Sequence, residues 1–100
     1  MTQTAEIVTF CLTDGHTPDA LAKAAAAMEP FLRAAEGFIR RDLSVDDAGL
    51  WTDHILWTDA AAAKAAAAAI MDAPAAGPFM AMIDGHSAVM RHATVHLQQE

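Results

Sequence analysis

Four side chains carry most of the chemistry this sequence could perform. Asp53 and Trp57 stand four residues apart in the run Leu50–Trp57, and His92 and His96 stand four apart near the end of the chain. If Leu50–Trp57 is a strand, period-two alternation puts Asp53 and Trp57 on one face. A carboxylate on a sheet face covered by helices must be paired, hydrated or raised in pKa. Arg40 or Arg41, on the preceding segment, can supply the pair. Otherwise Asp53 is a proton acceptor or an anchor for a phenolic ligand, and the expectation is that it matters more for binding than for folding. His92 is the second candidate catalytic residue, a general base that titrates near neutrality. The alternative is a histidine satisfied by a backbone or interface partner.

A four-residue gap on a helix would bring His92 and His96 to one metal ion. On a strand it separates them by roughly 13 Å, too far for two bonds of ~2 Å to one ion. The strand reading therefore removes the metal site. His54, next to Asp53, faces the opposite side, and His16 and His86 sit in turns. Trp57, Trp51, Phe10 and Phe31 are candidate ligand-binding residues of an aromatic pocket, or ordinary core. Cys11 reads as a buried apolar filler, since nothing near it in sequence would lower its pKa. The sequence holds no Gly-rich phosphate loop, nucleophile elbow or CxxC.

These residues need elements to hold them. Glu6–Leu12 is rich in β-branched and aromatic residues and runs into Asp14-Gly15, a strand closed by a turn. Thr17-Pro18-Asp19 opens a helix that extends to about Ala35: Thr17 caps, Pro18 suits the first helical position and Asp19 favours the positive dipole end. Pro30 inside it predicts a kink. Phe38–Val45 and Leu50–Trp57 read as strands joined by the Asp46-Asp47-Ala48-Gly49 turn. Asp59 caps a second helix, Ala60–Met71. Phe79–Ile83 makes a helical turn, and Ser87–Leu97 is the last strand.

The order β-α-β-β-α-β is the split arrangement. It predicts one α+β, ferredoxin-like domain over residues 1–100, an antiparallel sheet with both helices on one face. The first strand carries Val8, Phe10 and Leu12 on one side and Ile7, Thr9 and Cys11 on the other. Both sides are apolar or small, so the face without helices needs cover. A second copy of the same sheet is the simplest cover, which predicts a homodimer packed sheet on sheet.

The net charge of −7, with no stripe of Lys or Arg, excludes a phosphate-backbone binder and disfavours anionic membranes as partners. No apolar run reaches the ~18 residues of a membrane span. A single cysteine allows no intrachain disulfide, and the first residues lack the pattern of a signal peptide, so the cytoplasm is the expected location.

The strand ending in Leu12-Thr13-Asp14-Gly15, the Glu36-Gly37-Phe38 entry to the second strand, Trp57-Thr58-Asp59 before an alanine-rich helix, and the Pro78-Phe79 turn together resemble the dimeric α/β-barrel superfamily. Within it they resemble the antibiotic-biosynthesis-monooxygenase-like proteins. The resemblance spans almost the whole chain. It implies a pocket between sheet and helices, a small organic ligand, and a family that includes cofactor-free oxygenases and heme-degrading enzymes. Trp57 matches a pocket tryptophan of several members, and Asp53 stands where some oxygenases have asparagine. Val8 and Ile83 replace residues with which heme-degrading members contact heme and its iron, so no cofactor is expected.

Overall fold

The computed structural model describes residues 2–100. Thr17 caps the first helix as its sequence predicts: its hydroxyl accepts the Ala20 N–H at 3.1 Å, and α1 runs Pro18–Ala26. The helix then breaks rather than kinks. Pro30 has no N–H to give to the Ala26 carbonyl, and its ring would crowd that group. The chain restarts as α2, Glu29–Ala34, with Pro30 in its first turn, where a missing N–H does no harm.

The strands are β1 (Thr4–Phe10), β2 (Phe38–Val45), β3 (Trp51–Trp57) and β4 (Val89–Thr94). They form one antiparallel sheet in the order β2-β3-β1-β4. Asp59 caps α3 (Ala60–Ile70) by accepting the Ala62 N–H at 2.8 Å. A 3-10 turn, Pro74–Ala76, leads into α4 (Gly77–Ala81). The fold is ferredoxin-like α+β, with the helices on one face of the sheet. Two strands differ from the expectation at both ends. β1 runs Thr4–Phe10 rather than Glu6–Leu12, which leaves Cys11 beyond the strand and exposed rather than buried, and β4 runs Val89–Thr94 rather than Ser87–Leu97, which leaves His96 beyond it.

Register fixes which residues share the helix-covered face. Phe38, Trp57, Thr4 and Thr94 make one row across the sheet; Arg41, Ile55, Glu6 and His92 the next; Leu43, Asp53, Val8 and Met90 the third. The core beneath the helices divides in two. Phe10 and Trp51 stack at 6.4 Å and pack with Leu21, Met28 and Phe79. Trp57 packs with Leu32, Ile55, Ala63 and Ala66.

On the other face, Asp42, His54, Ile7 and Arg91 form one row, and Arg40, Leu56, Ala5 and Ala93 another. Beyond β4 the Val95 N–H donates to the Gln3 carbonyl at 3.0 Å, which carries the β1–β4 pairing one residue further. Ala5 and Leu56, in the second row, are buried within one chain.

Gly37 ties α2 to the start of β2. Its φ is +88°, and a Cβ there would lie 2.6 Å from both the Ala62 Cβ and the Thr58 Oγ1. Left-handed backbone disfavours any side chain, and a crowded site adds overpacking. Gly37→Ala is expected to lose about 2–4 kcal/mol in urea denaturation, given these two costs together. A loss within experimental error would show that α3 moves aside freely.

Candidate functional site

A polar layer separates the two halves of the core. It contains Arg41 from β2, Asp53 from β3, Glu6 from β1 and His92 from β4, all on the helix-covered face. Phe38 and Trp57 lie on one side of it, and the paired Phe10 and Trp51 lie on the other.

Asp53 is held by Arg41. The guanidinium donates from Nε to Oδ1 at 2.8 Å and from Nη2 to Oδ2 at 2.6 Å. Nη1 donates to the Ala25 carbonyl at 3.0 Å, and the guanidinium carbon lies 5.1 Å from the centre of the Phe79 ring. Arg41 therefore joins β2, β3, α1 and α4 through one planar group, the kind of fork that suits bidentate carboxylate binding. Both members are almost fully buried. The choice of Arg41 over Arg40 comes from a register shift between Phe38 and Arg40. It reverses the alternation, so that Phe38 and Arg41 share a face and Arg40 turns to the other, where it pairs with Asp42.

Glu6 was not singled out by its position in the sequence, yet it is the most perturbed acid of the inner layer. It lies opposite His92 across the β1–β4 ladder, with Oε1 3.3 Å from His92 Nε2. Burial pushes its carboxyl above the ordinary range, and the nearby Asp53 charge adds to the rise; His92 pulls the other way. The Trp57 indole also favours the charged carboxylate, but from outside good hydrogen-bond geometry: Nε1 is buried and has no partner among the described residues. His92 keeps 22% of its side chain exposed, so the pair is reached from the β4 edge. At this separation the imidazole Nε2–H can donate one hydrogen bond to the Glu6 carboxylate.

The rise in Glu6 fixes a sign. Between the ordinary carboxylate range and its folded value, the native state holds more protons than the unfolded chain, so stability falls as pH rises through that window. Denaturation curves across this window should flatten in Glu6→Gln. A slope the variant leaves unchanged would assign the pH dependence elsewhere.

The aromatic residues expected to form one pocket are divided. Phe10 and Trp51 belong to one half of the core; Trp57 belongs to the other, with Phe31 packed against it. Trp57 is 1% exposed and sits edge-to-face on Phe38 at 5.8 Å. Asp53 and Trp57 share a face with Ile55 between them. Two grooves open beside the helices. One, about 550 Å³, runs between α2 and α3 along Phe31, Glu36, Thr58 and alanines of α3. The other, about 490 Å³, follows β2 beneath α1 and α2 and is lined by Trp51 and Arg41. Trp57, Asp53 and His92 line neither. Among the described residues, no three His, Cys, Asp or Glu side chains converge as metal ligands, and no helix is long and apolar enough to cross a membrane.

No family model matches this sequence, and no curated protein does. Solved structures do match in fold. SnoaB, a cofactor-independent oxygenase from Streptomyces nogalater, superposes with a TM-score of 0.70 at 19% identity, covering 100% of this chain and 97% of that one. A candidate antibiotic biosynthesis monooxygenase from Bordetella bronchiseptica gives 0.80 at 13% identity, over 97% and 100%. A dimeric ferredoxin-like protein of unknown function from Thermobifida fusca gives 0.70 at 13% identity, over 94% and 92%. The chain thus has the ferredoxin-like fold that antibiotic-biosynthesis-monooxygenase-like proteins use.

Proposed function

We propose that this chain binds a small electron-rich aromatic molecule against the Glu6–His92 pair and oxidises it with dioxygen, without a cofactor. The observation that carries the reading is the pair itself, an acid raised by burial beside a histidine, at the boundary of an aromatic core. His92 takes a proton from an activated ring methylene. Glu6 orients the imidazole and keeps the positive charge local. The carbanion passes an electron to dioxygen, the two radicals combine as a hydroperoxide, and loss of water leaves a carbonyl. One methylene and one O₂ give one carbonyl and one H₂O. Asp53, bound to Arg41, takes no part in the proton transfer and holds β2 and β3 together beside the pair. Oxygen uptake with anthrone-type tricyclic probes tests the reading: consumption of one O₂ per substrate supports it.

A non-catalytic binding module is the second reading. It is favoured by the complete burial of Trp57 and by grooves that open away from His92. Probe binding without oxygen uptake would decide for it.

In either reading the protein works in the cytoplasm as a homodimer closed through the open sheet face, where Ile7, Thr9, Thr52 and His54 remain half-buried. The dimeric Thermobifida fusca protein of the same fold supports this. Sedimentation at micromolar concentration should return about twice the monomer mass. A clean monomer would rule out the dimer.

A further inference from the structure

Half of the six Lys and Arg residues line one groove. Arg33, Arg40 and Arg41 all border the groove of about 490 Å³ along β2, in a chain of net charge −7. The register shift at the start of β2 makes this possible. It sends Arg40 and Arg41 to opposite faces of an edge strand, and the groove wraps that edge. The floor is apolar, with Leu32, Phe38, Leu43 and Trp51.

Each arginine already has a carboxylate, so the groove does not attract anions by net charge. What it offers is guanidinium donors that those pairs leave unused. Arg33 engages Glu29, which also lines the groove, through Nε alone, and its two terminal nitrogens have no partner among the described residues. Arg40 engages Asp42 through Nε and Nη2, leaving Nη1. The side chains of Arg33 and Arg40 are 70% and 64% exposed. Ion pairs so exposed are weak and screened by water, so a ligand carboxylate can compete for these guanidinium groups. Arg41 is different: buried and fully engaged, it forms a rigid wall.

We infer that this groove is a second ligand site, for the planar carboxylate of an aromatic acid. The carboxylate lies between the Arg33 and Arg40 forks, and the ring lies on the apolar floor near Trp51. A planar carboxylate suits the guanidinium fork, and an apolar floor suits an aryl body rather than a hydrated phosphate. The site is distinct from the Glu6–His92 pair, because β2 and β4 are opposite edges of the sheet.

The probes are 2-naphthoate, the neutral 2-naphthalenemethanol and inorganic phosphate, titrated into the full-length protein and followed by backbone amide shifts and tryptophan fluorescence. Naphthoate should shift amides around Arg33, Ile39 and Trp51, bind at least tenfold more tightly than the alcohol, and weaken as salt rises. The double variant Arg33→Gln/Arg40→Gln should lose at least tenfold in affinity, with an unchanged melting temperature. His92→Gln should leave naphthoate binding intact, which keeps this test separate from that of the oxygenase reading. Equal binding of acid and alcohol, tighter binding of phosphate, shifts confined to β4, or an unaffected double variant would each overturn the inference.

Discussion

Replacing Asp53 with asparagine is expected to destabilise the protein by about 3 kcal/mol or more, because it leaves the Arg41 charge buried and unbalanced. In a chain this short, that corresponds to a fall in melting temperature of ~10 °C or more. The size of the effect follows from the pairing. Arg41 makes two short bonds to Asp53 and a third to the Ala25 carbonyl, and it has almost no water to turn to. Asparagine can accept one of the two bonds but cannot neutralise the guanidinium. Arg41→Gln should cost a similar amount from the other side, by stranding the carboxylate. Replacing both together, for example Asp53→Leu with Arg41→Met, should recover most of the loss, since buried pairs often contribute little net stability over apolar substitutes of similar volume. Urea denaturation of the parent, Asp53→Leu, Arg41→Met and the double variant makes the cycle. If Asp53→Asn melts within a degree or two of the parent, the ion pair is not structural and the carboxylate is free for a ligand.

This expected result reverses the weight that the sequence alone placed on Asp53, and the reason lies in one register shift. The shared face of Asp53 and Trp57 was legible, because β3 alternates without interruption from Trp51 to Trp57. Which arginine would meet Asp53 was not. Counting by twos from Phe38 selects Arg40, and only the irregularity between Phe38 and Arg40 brings Arg41 inward. Glu6 was missed for a related reason. With the first strand read as Glu6–Leu12, Glu6 is a terminal residue open to water. With β1 at Thr4–Phe10 it is central, on the same inner face as Val8 and Phe10. The signal was present, since Glu6 shares the parity of those two apolar residues. The topology followed from capping and turn chemistry: Thr17 and Asp59 both cap as their residue types predict. The divided core did not, because alanine spacing says where a helix packs but not which aromatic ring meets which. Ala5 and Leu56 are buried on the open face within a single chain, which period-two alternation alone does not show.

His92→Gln is expected to lower oxygen uptake by about 10²- to 10⁴-fold, the usual contribution of a positioned general base. Glutamine is close in size and can still meet the Glu6 carboxylate, so fold and ligand binding should survive while the proton acceptor is gone. The separation of effects is what gives the test its force. A residue that only supports the sheet would move the melting temperature, and one that only binds would move KM. Loss of kcat at nearly constant KM and melting temperature is the signature of proton transfer. Glu6→Gln should be milder, because the base remains and only its orientation and charge partner are lost. The order of the two variants therefore matters as much as their size. If Glu6→Gln is the more damaged enzyme, the carboxylate is the base and His92 its support. If both variants consume oxygen at the parent rate, the pair is a piece of the scaffold and the oxygenase reading loses the geometry on which it rests.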